Sequence, residues 1–350
     1  MACSTYLRRA QAEPALLANR RAMIEYYAGD MRRLADCLEP VPVRDDSCVR
    51  LVTWNVNCLR GVDGMERIPA AEVVDVLKNL DADVLALQEA PVEFDPSWGN
   101  WLVEPLERLR ELDAKLGELG YTLLRSPATN PTLLATRLPV SYTEGFALDA
   151  QPVRTLNGTS VWSETRGCRH VELQLPDSQK LAVYATHLHH KDTELHDDLA
   201  VPGVRRRETE KLLEHWEMRE GKSVAAATVV LADFNQPLQK HYDTGEWQVV
   251  VAGLSHPAVA QPEADGVDKL LGASGFCCSY DLATKNNFGE RAAPAMTHWT
   301  GTTIDFAYVH SPFSTSVVDG AYVKFSDLSD HAPVVLDLRL SCAVDKAQAA

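Results

Sequence analysis

No stretch of the 350-residue chain approaches the ~20 consecutive apolar residues that a membrane-spanning helix needs, and no basic-then-apolar leader opens it. Paired cysteine spacing is missing too. The eight cysteines (Cys3, Cys37, Cys48, Cys58, Cys168, Cys277, Cys278, Cys342) are scattered, and adjacent Cys277 and Cys278 cannot make a CxxC motif. Reduced thiols are the simplest expectation, and with them an intracellular protein, cytoplasmic or nuclear. Positive charge is scarce: 34 Lys and Arg face 49 Asp and Glu, a formal net charge of −15. That argues against tight non-specific binding to duplex DNA, which rests on Lys and Arg. It leaves room for a local basic cleft, or for a cation bridging protein and phosphate. No internal repeat is present, so a solenoid is not expected. What remains is an ordinary hydrophobic fraction of 45% in a chain long enough for one large α/β domain or two small ones. A monomer is expected.

Taken in order, residues 1–48 differ from the rest. Leu17, Ile24, Tyr27, Met31, Leu34 and Leu38 recur at helical spacing, so 14–38 reads as one or two amphipathic helices, with Pro14 suited to a first turn. Arginine pairs at 8–9, 20–21 and 32–33 read as a solvated face. Organelle targeting by this extension stays open, although Glu13 and Glu25 weigh against a transit peptide. Pro40 and Pro42 mark a linker. A second domain is expected over 49–340, with a frayed tail at 341–350. Strands are predicted at 49–55, 83–88, 121–125, 131–136, 170–175, 180–186, 228–232, 303–310 and 332–340. Helices are predicted at 70–80, 103–119, 203–218 and 267–271. Residues 239–265 show no clear element and read as a long insertion. Strand-rich halves with intervening helices suggest two packed sheets covered outside by helices.

The most telling stretch is Val229-Val230-Leu231-Ala232-Asp233-Phe234-Asn235-Gln236-Pro237. An apolar run from Thr228 to Ala232 reads as a buried strand and stops abruptly at Asp233 and Asn235; Pro237 then ends extended structure. A carboxylate and a carboxamide at the carboxyl end of a core strand are costly unless paired or bound to something, and ligands bind at that end of open α/β sheets. Taken alone, Asp and Asn are also ordinary turn residues. Other strands end in the same way: Asn55 with Asn57 in TWNVN, Glu89 in LALQEA, His187 in ATHLHH, and Asp330-His331 in SDHAPV. Asp305 sits inside the apolar run of TTIDFAYV. Each has a bland reading as a cap, a turn or a hydrogen-bonded core group; six such coincidences in one chain favour a shared site.

Together, TWNVNCLRG, LQE, DFN, ID and SDHAPV, in that order across about 49–340, resemble the endonuclease/exonuclease/phosphatase superfamily, whose fold pancreatic deoxyribonuclease, exonuclease III and neutral sphingomyelinase share. The resemblance implies a four-layer α/β sandwich, with two mixed β-sheets packed face to face and flanked by helices, and a site at the mouth between the sheets. It implies a metal-dependent phosphodiesterase using Mg²⁺ or Mn²⁺. Glu89 is the hard oxygen ligand that such a cation takes, with Asn55 and Asp330 beside it. Asp233 would orient or deprotonate the attacking water, and Asn235 would donate to a non-bridging phosphate oxygen. His331 would contact the phosphate or move a proton, with Asp305 holding its tautomer. His187 matches the family's THL histidine, which faces the phosphate.

Departures narrow the reading. Abasic-site enzymes of the exonuclease type carry an aromatic where this chain has His187, which argues against that activity. Ala232 replaces the usual Gly before Asp233, and the longer basic motifs of the inositol-phosphatase subgroup are absent. Asn57, Arg169 and Trp299 are secondary substrate-binding candidates; a surface salt bridge and core packing are the competing readings for the last two. His189, His190 and the 205–207 arginine run read as solvated loop or helix-face residues. The expected substrate is a nucleic-acid end, a single strand or a small phosphodiester. The rivals are a sphingomyelinase-type phospholipid phosphodiesterase, which needs an apolar rim that the sequence does not show, and a non-catalytic binding scaffold.

Overall fold

The computed structural model describes residues 39–62, 67–90, 103–128, 131–148, 154–156, 159–161, 166–175, 178–189, 204–220, 225–253, 266–294, 296–299, 301–311 and 317–340. The helices expected within 14–38 and the tail at 341–350 lie outside the described residues. The elements are β1 (Val49–Asn55), α1 (Ala70–Leu80), β2 (Val84–Gln88), α2 (Val103–Glu118), β3 (Thr122–Arg125), β4 (Leu133–Thr136), β5 (Val140–Ala147), β6 (Arg154–Leu156), β7 (Thr159–Val161), β8 (Gly167–Gln174), β9 (Lys180–His187), α3 (Val204–Glu220), β10 (Ala227–Asp233), α4 (Thr244–Gly253), α5 (Val267–Ala273), β11 (Cys277–Cys278), α6 (Ser279–Leu282), β12 (Lys285–Asn286), β13 (Asp305–His310), β14 (Val318–Val323) and β15 (Val334–Leu338).

They form a seven-stranded sheet in the order β12-β14-β15-β1-β2-β4-β3 and a six-stranded sheet in the order β11-β13-β10-β9-β8-β5. Both are mixed: β1 runs parallel to β2 and β9 parallel to β10, while β15 and β13 return antiparallel. Side-chain alternation along a strand sorts the core into layers. Leu51, Val84, Ala86 and Leu336 on one sheet meet Val183, Ala185, Val229, Leu231 and Ala307 on the other. The opposite faces of the first sheet, Val52, Trp54, Leu85 and Leu87, pack under α1 and α2 through Val73, Leu77, Leu109 and Leu112. Tyr184, Val230, Phe306 and Tyr308 on the second sheet pack under α3 and α5 through Leu212, Trp216 and Leu271. The result is a four-layer sandwich. No described helix is long and apolar enough to cross a membrane.

Three expectations need correction. The stretch 239–265 is not free of structure: a 3₁₀ turn spans Gln239–His241 and α4 follows it. Asp243 accepts from the Glu246 amide (2.8 Å) while its own amide donates to the Glu246 carboxylate (3.1 Å), a capping box. Residues 39–48 are no free linker, because Arg44 pairs with Asp83 and the Arg50 guanidinium donates to the Pro42 carbonyl (2.9 Å). Strands β5 and β14 were not expected. β5 is a half-exposed edge without clean alternation, and β14 carries Asp319 and Gly320 inside its short run.

Candidate functional site

The parity that buries Leu51, Val229, Val183 and Ala307 between the sheets also aims the strand-terminal residues Asn55, Asp233, His187 and Asp305 into the same space. Register aligns them: Asp233 lies opposite His187 on one side and Asp305 on the other. Asn55 reaches across from the first sheet, its Nδ2 donating to Asp233 Oδ2 (3.1 Å) and to Glu89 Oε1 (3.2 Å). Glu89 stands one residue past β2, and its φ of 53° is left-handed, uncommon for a residue with a long side chain. That turn redirects it from the strand's alternation towards Asn55. Its carbonyl accepts from the Cys58 amide (3.1 Å), within a tight left-handed run of φ 46°, 51° and 57° at Asn57, Cys58 and Leu59. Asn57 caps this run, its amide donating to Asn55 Oδ1 and its Nδ2 to the Gly61 carbonyl.

His331 enters from the loop before β15. Its Nδ1–H donates to Asp305 Oδ2 (2.9 Å), and its Nε2 lies 3.7 Å from Asp233 Oδ2 and 4.0 Å from Asp330 Oδ1. Trp54 Nε1 holds the His331 carbonyl (2.8 Å), and Ser329 Oγ donates to the Asn55 carbonyl (2.7 Å), so the first sheet's floor fixes this loop. Burial opposes charge on His331, but Asp305, Asp233 and Asp330 together outweigh it and favour imidazolium. Burial pushes the Asp233 carboxyl up, and the charge of Asp305 adds to this. Asp330, half-buried, is raised by burial, with Glu89 and Asp233 adding repulsion against the pull of His331.

His187 is held from behind. The Arg166 guanidinium, itself buried, lies 3.0 Å from His187 Nδ1. Arginine only donates, so Nδ1 is the acceptor of this bond. Nε2 lies 3.4 Å from Asp233 Oδ2 and 3.0 Å from Asn235 Nδ2, which donates to the Leu188 carbonyl (3.0 Å); the amide nitrogen also only donates, so a neutral ring accepts from Arg166 or from Asn235 but not from both. The Asn235 amide and the His187 ring thus converge beside Asp233, with the amide placed to donate to an anionic oxygen.

The expected residues divide accordingly. Asn55, Glu89, His187, Asp233, Asn235, Asp305, Asp330 and His331 come together, with Asn57 supporting Asn55. Trp299 stands at the rim, its amide donating to the Asp330 carbonyl (2.8 Å). Arg169 goes elsewhere: its guanidinium binds the Arg125 carbonyl and approaches Thr143 at the sheet edges, where a Cβ on Gly145 would lie 2.8 Å from its Nη2. Two buried arginines brace the cluster instead: Arg166 behind His187, and Arg205, expected on a solvated helix face, which donates to the Asn235 carbonyl. His298 is a second residue that the sequence did not single out, its ring 4.4 Å from that of His331 and its Nε2 3.8 Å from Asp330 Oδ2. Arg166 had a signal, since it stands just before β8, but RGCR offers two arginines and strand parity favours the other. His298 had none, because only the bridge pairing His298 with His331 places it.

The donor set suits a hard divalent cation. Glu89 and Asp330 are close enough to repel, and buried Asp305 Oδ1 has no hydrogen-bond partner. Asp233, Asp305 and His331, and likewise His298, Asp330 and His331, bring ligand atoms within 4.8 Å of one another.

Fold and cluster together define a four-layer α/β sandwich with a polar centre between its two sheets. The model of the endonuclease/exonuclease/phosphatase family matches residues 52–331, and the chain belongs to that family. Its members are hydrolases of phosphoesters and are generally dependent on divalent metal. Among solved structures, the chain is similar to an endonuclease/exonuclease/phosphatase of Beutenbergia cavernae (18% identity, TM-score 0.54, 83% of this chain and 71% of that one). It is similar to a mannosyl-6-phosphatase of Bacteroides thetaiotaomicron (15% identity, TM-score 0.55, 83% and 99%). The human Nocturnin catalytic domain with bound sulfate is a third likeness (15% identity, TM-score 0.53, 87% and 98%). At these identities the likeness concerns the fold. No curated protein sequence matches the chain.

Proposed function

We propose that the protein is a divalent-metal-dependent phosphodiesterase acting on a nucleic-acid end, a single strand or a small phosphodiester. One observation carries the reading: carboxylates and polar nitrogen groups meet in one cluster between the sheets, Glu89 and Asp330 beside Asn55 and Asp233, with His187 and Asn235 on Asp233's other side. Glu89, with Asn55 and Asp330, would hold Mg²⁺ or Mn²⁺, which when bound neutralises charge on the phosphoryl oxygens. Asn235 would donate to a non-bridging oxygen beside His187, whose ring Arg166 holds in place. Asp233, raised towards neutral pH by its burial, is suited to take the proton of an attacking water. His331, kept protonated by its three carboxylate neighbours and oriented by Asp305, supplies a proton or a positive charge to the departing oxygen.

The test is a substrate panel with Mg²⁺ or Mn²⁺: bis-(p-nitrophenyl) phosphate, p-nitrophenyl phosphate, single- and double-stranded DNA, RNA, 5′-phosphotyrosyl DNA and sphingomyelin. Diester hydrolysis that EDTA abolishes, and that Asp233→Asn and His331→Ala lose, is expected. Activity indifferent to EDTA would sink the metal assignment. Monoester hydrolysis alone would move the protein to the phosphatases of the family. No turnover across the panel would leave the scaffold reading.

A further inference from the structure

We propose that His241, Cys278 and Asp281 form a zinc-type metal site on the outer face of the six-stranded sheet, clamping the segment that follows Asn235. The site lies apart from the cluster between the sheets and shares no residue with it. Ligand atoms of the three side chains, 37 residues apart in sequence from His241 to Cys278, lie within 4.8 Å of one another. His241 is a buried imidazole packed against Tyr280 and Phe306, and neither ring nitrogen has a hydrogen-bond partner. Its Nε2 points towards Asp281 Oδ1 at 3.7 Å, beyond hydrogen-bonding distance. A buried ring whose Nδ1 has no partner and whose Nε2 has only a long ion pair to Asp281 is costly, and coordination would satisfy it.

The surroundings favour a ligated state. Lys240 Nζ holds the far carboxylate oxygen of Asp281 (2.8 Å) and bridges to Asp268 (3.3 Å), which leaves Asp281 Oδ1 turned to His241. Burial, and then the charge of Asp281, hold the Cys278 thiol protonated in the metal-free protein, against the Tyr280 amide on its sulfur and the nearby Lys240. A bound cation would displace the thiol proton to solvent. One sulfur, one nitrogen and one oxygen make a donor set of zinc character with a fourth position open. Bonds of about 2.0–2.3 Å need ligand atoms roughly 3.3–3.9 Å apart; His241 Nε2 and Asp281 Oδ1 already stand at 3.7 Å, and no separation in the cluster exceeds 4.8 Å. His241 follows Asn235 by six residues, so such a clamp would tie the loop after β10 to β11 and α6.

The experiment uses the full chain, stripped with a chelator and titrated with Co²⁺ and then Zn²⁺. A thiolate-to-cobalt charge-transfer band should grow to one equivalent, be bleached by Zn²⁺, survive in Glu89→Ala and vanish in Cys278→Ser. Should Cys278→Ser fail to fold, Asp281→Ala, at a half-exposed helix position, serves instead, and its zinc affinity, measured by competition with a chelating dye, should fall at least about tenfold. Absence of the band, its persistence in Cys278→Ser, or unchanged affinity in Asp281→Ala would overturn the site. None of these readouts depends on phosphoester turnover.

Discussion

At the scale of single residues, the pairing of His331 with Asp305 carries the sharpest expectation for turnover. Asp305 Oδ2 takes the imidazole Nδ1–H at 2.9 Å inside a floor where both side chains are buried. His331→Ala should lower turnover of a diester by about 10²–10⁴, the range for removing a proton-transfer group. Asp305→Asn should lower it through loss of orientation and charge. The double mutant should be little worse than the worse single, since the two act as one unit. Rate measurements on all three, with folding checked by circular dichroism, decide this; additive losses would separate the residues. His170, far from this floor, makes a stability prediction. It is stacked on Tyr184 (4.4 Å), and burial lowers its pKa from 6.5 to about 3. Between those values the unfolded chain holds a proton that the folded chain refuses, so stability falls as pH falls through that window, by up to about 1.4 kcal/mol per pH unit. His170→Phe should flatten that part of the slope; denaturant melts at pH 7 and pH 5 measure it, and parallel slopes would contradict the assignment.

At the scale of elements, strands β1 and β15 are joined by more than their ladder. Arg50 and Asp337 pair through two bonds (2.7 and 2.8 Å), and Arg50 also donates to the Leu80 carbonyl that ends α1 (3.1 Å). Arg50→Ala would leave a buried carboxylate without its partner, a change that costs about 3–5 kcal/mol. Arg50→Ala with Asp337→Leu should recover much of that loss, as seen in chemical denaturation; equal losses in both variants would show that the pair contributes through packing alone. The elements that position the site were the legible ones. β1, β2, β9 and β10 announce themselves as apolar runs that stop at Asn55, Glu89, His187 and Asp233, because a buried strand has to end where a polar side chain finds an opening. β5 and β14 lacked that contrast. α4 had a usable signal in Asp243 and Glu246, overlooked because its apolar residues Val249, Val250 and Val251 run together without helical period. Strand parity favoured the wrong arginine: Arg169 shares the inward face of Val171 and Leu173 but ends on the Arg125 carbonyl, whereas Arg166, just before β8 and outside its alternation, reaches His187.

At the scale of the whole molecule, the charge of −15 sets the terms on which a polyanion approaches. Long-range attraction to duplex DNA is weak, so affinity for undamaged duplex should be low and its salt dependence shallow. Fluorescence anisotropy over a salt series checks this, and nanomolar binding at physiological ionic strength would refute it. The same chain should discriminate by reach into the mouth between the sheets. Ends, single strands and small diesters present a phosphate there without a second strand to be repelled.

The left-handed backbone at Glu89 carries a consequence for evolvability. A glutamate held at φ 53° beside the like-charged Asp330 is a position where function and folding disagree. Asparagine accepts that backbone readily and brings no charge. Glu89→Asn should therefore be inactive yet melt about 2–4 °C higher than the parent in cation-free buffer, a gain of about 1 kcal/mol. Added Mg²⁺ should close the gap by stabilising only the parent. A selection for thermal stability alone would discard this glutamate, whereas one for turnover would keep it at that thermal disadvantage.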